Sequence, residues 1–87
     1  MERTERIRTL LETALQPSRL EVRDDSQLHV GHANAGGGHY ALLIVSDKFA
    51  GMSALQRHRH VYAILGEMMP AEIHALSIRA VTPDEGV

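Results

Sequence analysis

The chain has 87 residues, of which 44% are hydrophobic, and its only aromatic residues are one phenylalanine and two tyrosines. We expect one domain over residues 1–87 with a small aliphatic core, and the lack of cysteine excludes a disulfide framework or an all-cysteine metal site. The net charge of −2 argues against electrostatic attraction of the whole domain to nucleic acid, although a local basic patch would still be compatible with it.

The sequence lacks the usual signals for membrane insertion or export. No apolar run approaches the roughly 20 residues that a membrane-spanning helix needs. The first six residues are mostly charged, unlike the apolar region of a signal peptide. We therefore expect a cytoplasmic protein without a membrane partner.

The N-terminal segment has the apolar periodicity of an amphipathic helix, which Pro17 ends. The periodic residues are Ile7, Leu10, Leu11, Ala14 and Leu15. Beyond the proline, Leu20 and Val22 alternate with polar residues, which predicts a strand with one buried face. A polar, glycine-rich loop over residues 28–39 follows. The continuous apolar run over residues 40–45 then favours a central strand.

A second helix is predicted from Ser53, which has the spacing of a capping box with Gln56. Apolar residues then recur at helical spacing and are expected on the buried face, together with His58. They are Leu55, Tyr62, Leu65 and Met69, widened by Val61 and Met68. Pro70 marks the end of this helix.

The segment Ile73 to Val81 is predicted to be the last strand. Its shared face is expected to hold His74, Leu76, Ile78 and Ala80. Thr82 and Pro83 then have the pattern of a cap and first residue of another short helix. The element order favours a two-layer α+β fold, in which a hairpin is antiparallel and the last strand crosses over to run parallel to a neighbour.

Four motifs, which follow one another along the chain in the order typical of the BolA family, give this sequence its resemblance to that family. The longest, over residues 49–65, contains Phe-x-Gly, then Leu-x-Arg-His-Arg-x-Val-Tyr and a leucine. The others are Gly38-His39-Tyr40, Val45-Ser46-Asp47 and Ile73-His74-Ala75-Leu76. The resemblance spans Ile7 to Pro83 and implies a type II KH-like fold, α-β-β-α-α-β, as a two-layer sandwich with a three-stranded mixed sheet. It also implies an extra short helix within Phe49 to Gln56 and a curtailed C-terminal helix.

The resemblance implies a function as well. BolA-like proteins pair with monothiol glutaredoxins and supply histidine to a bridged [2Fe-2S] cluster, to which glutaredoxin adds a cysteine and glutathione a second thiolate. The family's strand histidine corresponds to His74, and its loop ligand to His29 or His32. We therefore expect a non-enzymatic adaptor in iron–sulfur cluster assembly or iron regulation. The isolated chain is expected to carry no cofactor and to form at most a weak homodimer.

Each histidine also has a structural interpretation. A strand histidine such as His74 is commonly packed and hydrogen-bonded, and His29 and His32 could be ordinary loop residues. His39 begins the central strand and is predicted to be structural. His60 is expected to face solvent.

Two other functions compete with the adaptor hypothesis. Some family members are described as DNA-binding regulators, and Lys48, Arg57 and Arg59 would provide the contacts. The chain lacks a Gly-x-x-Gly loop and aromatic stacking platforms, so these arginines could instead cap, form salt bridges or dock a protein partner. A zinc enzyme on His29, His32 and His74 would need stoichiometric zinc in the purified chain, and we predict no catalytic residues.

Overall fold

The computed structural model describes residues 2–25 and 38–85, and its elements follow the predicted order. They are α1 (Arg3–Leu15), β1 (Arg19–Asp24), β2 (Gly38–Val45), α2 (Ala54–Ile64) and β3 (Ile73–Val81). Short 3-10 helices lie at Asp47–Phe49, Gly66–Met68 and Pro83–Glu85. The predicted α+β class is confirmed. The extra helical turn expected within Phe49 to Gln56 begins earlier than predicted, because the 3-10 helix Asp47–Phe49 overlaps that segment only at Phe49.

The three strands form one mixed sheet in the order β1-β2-β3. β1 and β2 are antiparallel, with Leu20 opposite Ile44, as a direct connection between neighbouring strands allows. β2 and β3 are parallel, with Leu42 opposite Ile78, because the chain crosses over through α2 between them. The predicted hairpin, central strand and parallel last strand are therefore confirmed.

The core lies between the two helices and one face of the sheet. Its fully buried members come from every layer: Ile7, Leu11, Leu15, Tyr40, Leu42, Ile44, Phe49, Val61, Leu65, Met68 and Ile73. Because side chains alternate along β2, Ala41 and Leu43 lie on the opposite face of the sheet, which we call the open face. In the described residues no helix is long and apolar enough to span a membrane.

Local signals fix the end of α1 and the start of α2, whereas α2 ends at Ile64, before the predicted Pro70. α1 ends where Gln16 adopts a left-handed conformation with φ of 45°, just before Pro17. α2 begins with the predicted capping box: the Gln56 N–H donates to Ser53 Oγ at 3.2 Å, and the Ser53 N–H donates to Gln56 Oε1 at 2.8 Å. Gly51, at φ of 78°, turns the chain into this helix in a conformation that favours glycine.

The set of buried residues in and just after α2 is smaller than the predicted one, and each of its members was predicted to be buried. Val61, Leu65 and Met68 are fully buried, whereas Leu55 is 59% exposed and Tyr62 is 39% exposed. Tyr62 follows Val61 directly and therefore points about 100° away from it around the helix. The interpretation of Leu55 and Tyr62 as core residues was wrong, and His58, which was assigned to the same stripe, is exposed as well.

Candidate functional site

Two histidine side chains meet at one end of the sheet. His39 is the second residue of β2 and His74 is the second residue of β3. Their ring centroids are 5.3 Å apart, and the ring planes are inclined by 54°. The residue at position 74 is exposed and the residue at position 39 is half-buried. The sequence therefore brings together two imidazoles that solvent can reach.

A β-bulge places His74 in this position. Gly38 pairs with Ile73, but His39 pairs with Ala75, so β3 contains one residue more than β2 at this point. An extra residue interrupts the alternation of a strand. Ile73 can therefore enter the core while His74 leaves it. The predicted common face of His74 with Leu76, Ile78 and Ala80 was wrong for the histidine, because of this bulge.

The backbone at the start of β2 is held by hydrogen bonds on both sides. The N–H of Asp25, just beyond β1, donates to the His39 carbonyl at 2.7 Å. The N–H of Gly38 donates to the Glu72 carbonyl at 3.1 Å, immediately before β3. These bonds tie the start of β2 to the segments next to it, and so they fix the point from which the imidazole of His39 projects.

The distance between the two rings suits a shared metal. With metal–nitrogen bonds of about 2.1 Å, two histidines on one tetrahedral ion have ring centroids about 5 Å apart. The described residues contain no group of three or more histidine, aspartate, glutamate or cysteine side chains that could hold a metal ion. A metal at this pair would therefore need further ligands from outside residues 2–25 and 38–85.

The predicted loop ligands, His29 and His32, lie outside the described residues. The structure instead brings His74 next to His39, for which the sequence predicts a structural role. The signal that could have found this pair is strand direction. Parallel strands start at the same edge of a sheet, and both histidines come at the second position of their strands.

Arg57, the first basic residue of α2, forms several contacts within the protein. The Arg57 guanidinium donates to the carbonyls of Met52 and Ala80, both at 3.0 Å, and pairs with the carboxylate of Glu85 through two hydrogen bonds. It also lies 5.9 Å from the centre of the Phe49 ring. Arg57 thus joins the start of α2 to the end of β3 and to the last 3-10 helix.

The contact with Arg57 lowers the pKa of the Glu85 carboxyl group. The hydrogen bond from Arg57, aided by the Thr82 N–H at 2.8 Å, lowers the pKa of Glu85 from 4.5 to about 2. The same pairing raises the pKa of Arg57. Both groups are therefore charged at neutral pH. The predicted helical turn after Thr82 is present at Pro83–Glu85, but the Thr82 hydroxyl donates to the Asp84 carboxylate instead of capping a backbone N–H.

Lys48 and Arg59 remain accessible. Both residues are exposed, and within the described part of the chain neither side chain forms an ion pair or hydrogen bond. Of the three residues predicted to contact nucleic acid, only Arg57 has its charged group occupied inside the protein.

The open face carries a shallow groove of about 230 Å³. Its lining is Glu21, Arg23, Ala41, Leu42, Leu43, Ser77, Ile78 and Arg79. No histidine is among these lining residues.

Comparison with known proteins adds independent information on the family. The profile of the BolA family, described as BolA-like protein, matches residues 11–85. The chain is 48% identical to human BolA-like protein 1 over 79 residues, which is 88% of this chain and 56% of that protein. It is 46% identical over 92% of its length to SufE-like protein 1 of Arabidopsis thaliana, of which the matched part is only 24%.

Two further similarities concern regulation and fold. The chain is 40% identical over 93% of its length to a protein of Escherichia coli (strain K12) named DNA-binding transcriptional regulator BolA, of which it covers 76%. The solved BolA domain of SufE1 from Arabidopsis thaliana superimposes with a TM-score of 0.89 at 45% identity, covering 99% of this chain and 98% of that one. The chain spans about half the length of human BolA-like protein 1 and about a quarter of the length of SufE-like protein 1.

Proposed function

Because the chain belongs to the BolA-like family, we propose that it is an adaptor that forms a heterodimer with a monothiol glutaredoxin and shares a [2Fe-2S] cluster with it. The observation that carries this proposal is the pair of neighbouring imidazoles, His39 and the exposed His74, with ring centroids 5.3 Å apart. Such a pair offers the partner two nitrogen ligands on one surface. The process would be cluster assembly, cluster trafficking or iron regulation, without an enzymatic step.

The ligand chemistry fits histidine from this chain and thiolates from its partner. Neutral imidazole is a good ligand for iron, and in Rieske centres two histidines replace two cysteines on one iron. Since this chain has no cysteine, the thiolates would come from the glutaredoxin cysteine and glutathione. His74 is our first ligand. The second would be His29 or His32 from the loop, or His39, which the strand pairing adds as a candidate.

The bulge supports a ligand role for His74. A packed strand histidine would point into the core with Leu76 and Ile78, but the extra residue in β3 leaves the position of His74 exposed. An exposed imidazole retains the freedom to turn one nitrogen towards a metal held by another protein. The relative in which the matched part is 24% of a longer protein also fits a domain that acts by binding.

Cluster reconstitution on the mixed pair tests this proposal. The chain and a monothiol glutaredoxin are loaded with iron and sulfide in the presence of glutathione, and visible absorption and circular dichroism are recorded. We expect His74→Ala to change the spectrum and to accelerate cluster loss. The matched control is His60→Ala, which removes an exposed histidine of α2. Identical spectra and cluster lifetimes for wild type and His74→Ala would remove His74 as a ligand.

The same assay assigns the second ligand. His29→Ala, His32→Ala and His39→Ala are compared one at a time with the His60→Ala control. The residue that supplies the second nitrogen should reproduce the effect of His74→Ala, because a cluster that has lost a ligand is open to solvent and to exchange. An effect confined to His39→Ala would favour the strand pair over the loop.

The second candidate function is nucleic-acid binding. It is favoured by the exposed side chains of Lys48 and Arg59 and by the printed name of the Escherichia coli relative. Duplex binding through these residues should weaken steeply with salt and should fall when Arg59 or Lys48 is replaced by alanine. Arg59→Ala is a cleaner test than Arg57→Ala, because Arg57 also holds the fold together. No duplex binding at low salt would remove this candidate.

A further inference from the structure

α2 carries an exposed face that the histidine pair does not use. We define this α2 face by Leu55, His58, Arg59 and Tyr62, all of which are exposed. Their spacing of three, four and seven residues places them on one side of the helix. Leu55 and Tyr62 are also the two large hydrophobic residues with exposed side chains in the part of the chain that the structure describes. We propose that this face docks an amphipathic helix of a partner protein that carries apolar and acidic side chains.

The α2 face is separate from the surface that packs inside the protein. Val61, on the inward side of α2, and Leu65, directly after the helix, are fully buried in the core. Turning the helix by about 100° per residue brings Leu55 and Tyr62 within about 20° of each other and well away from Val61. Side chains in this position could be covered only by something outside the residues that form the core.

Arg59 is the polar centre of the α2 face. Five arginines form ion pairs within the described residues: Arg6, Arg8, Arg19, Arg23 and Arg57. The guanidinium of Arg59 has none there. It stands one turn from Leu55 and about one turn from Tyr62, so its charge lies between two apolar side chains. A guanidinium in such surroundings is well placed for a carboxylate on an incoming chain.

The charge on α2 points to an acidic partner. Residues 54–64 contain two arginines and two histidines but no aspartate or glutamate, although the whole chain carries a net charge of −2. Since Glu85 already neutralises Arg57, the uncompensated permanent charge on this helix is that of Arg59. A partner helix with apolar residues at positions i, i+3 or i+4, and i+7 and with glutamates beside them would match both features. A nucleic-acid duplex would match the charge but would leave Leu55 and Tyr62 without apolar contacts.

The position of the α2 face has a consequence for assembly. α2 packs against the face of the sheet that holds the core, whereas His39 occupies a β2 position that alternates with the buried ones and so lies on the open face. A partner on α2 and a partner at the histidines would therefore approach opposite sides of the sheet. This inference does not depend on the glutaredoxin proposal, because loss of either binding event would leave the other measurable.

Titration of the isotopically labelled full chain, followed by NMR, tests the proposal. The probe is a synthetic helical peptide of about 18 residues, long enough to be helical in water, with a leucine stripe flanked by glutamates. The same peptide with lysine for glutamate is the charge control, and a duplex of about two helical turns represents nucleic acid. We expect the acidic peptide to shift amide signals of residues 54–63 and to leave those of Ser77 and Arg79 unchanged.

Variants assign the contact to the α2 face. Arg59→Glu should weaken binding of the acidic peptide by at least about tenfold and should strengthen binding of the lysine peptide. Arg59→Gln should weaken the acidic peptide less, and Leu55→Gln should weaken both peptides. The matched control is Arg79→Glu, which reverses another exposed arginine without an ion pair in the described residues, on the open face. It should change the affinity by less than about twofold.

Three results would overturn the proposal. One is the absence of shifts on α2 with the acidic peptide at millimolar concentration. Another is equal binding of the acidic and lysine peptides, which would show that charge plays no part. The third is duplex binding that requires Arg59 while the acidic peptide fails to bind, which would make this surface a nucleic-acid site. Far-ultraviolet circular dichroism of each variant confirms that a lost contact is not a lost fold.

Discussion

His74 lies beside His39, with 5.3 Å between ring centroids. One extra residue in β3 moves His74 off the face of the strand that packs against the core. The bulge thus converts a position that the alternation of the strand would have buried into half of a two-histidine surface. The same irregularity lets Ile73 fill the core at the start of β3. The same bulge therefore allows both the burial of Ile73 and the exposure of His74.

We predict that the isolated chain binds Ni²⁺ weakly through this pair, because imidazole suits nickel and the two rings are already close. His39→Ala and His74→Ala should each lower the affinity by about tenfold or more, since either one leaves a single ligand without its chelating neighbour. Isothermal titration calorimetry measures the effect, with His60→Ala as the control. Binding should also weaken as the pH falls, because protons compete for the ligand nitrogens. Equal affinities for His39→Ala and His60→Ala would show that His39 is not a ligand.

A second prediction concerns the two leucines of the α2 region that differ in burial. Leu65→Ala removes a fully buried side chain from the core and should lower the free energy of unfolding by about 2–5 kcal/mol. Leu55→Ala removes a side chain that is 59% exposed and should change it by less than about 0.5 kcal/mol. Urea denaturation of the two variants gives the comparison. Similar losses for both would mean that Leu55 belongs to the core after all.

These two leucines also show what a linear pattern can and cannot predict. The capping box at Ser53, the last strand and the turn at Thr82 were predictable, because each depends on residues within a few positions of one another. The exposure of Leu55 and Tyr62 was not, because two overlapping rows at helical spacing both contain Leu65, and only contact with the sheet selects between them. The bulge at His74 could not be predicted either, because it is a feature of the pairing between β2 and β3 and not of the sequence of β3 alone. The His39–His74 pair needed both the bulge and the parallel register.

The ion pair between Arg57 and Glu85 makes stability depend on pH in the acid range. The pKa of Glu85 is about 2 in the folded protein, below its ordinary value of 4.5. Its contribution to stability is therefore complete above about pH 4.5 and is lost as the pH falls towards 2, where the folded protein also takes up the proton. We predict that Glu85→Gln lowers stability at pH 7 and that its deficit relative to wild type shrinks between pH 4.5 and 2.

Urea denaturation at several pH values between 7 and 2 tests the role of Glu85. Glu67→Gln is the matched control, because Glu67 is exposed and forms no ion pair within the described residues. This control should follow the wild-type curve. If the difference between wild type and Glu85→Gln stays constant down to pH 2, the stabilising contact does not depend on the charge of this carboxylate.

The last prediction concerns Ser46, which links three elements although it has only one hydroxyl group. The side chain is 1% exposed, donates to the Leu15 carbonyl at 2.7 Å and accepts a hydrogen bond from the Lys48 N–H at 3.1 Å. It thereby satisfies a carbonyl left open at the end of α1 and caps the 3-10 helix that follows β2. Ser46→Ala leaves that carbonyl buried and unpaired, and should lower the free energy of unfolding by about 1–3 kcal/mol.

The control for Ser46 is Ser18→Ala. Ser18 is exposed, and its hydroxyl makes one long bond of 3.4 Å to the Val45 carbonyl, so its loss should cost less than about 0.5 kcal/mol. Thermal or urea unfolding distinguishes the two variants. The contrast also tests whether the two ends of β2 are coupled, because Ser46 connects the end of β2 to α1 and to the 3-10 helix that follows. Ser46→Ala should therefore lower stability without weakening Ni²⁺ binding at the opposite end of β2, whereas loss of both would show that the two ends of this strand are coupled.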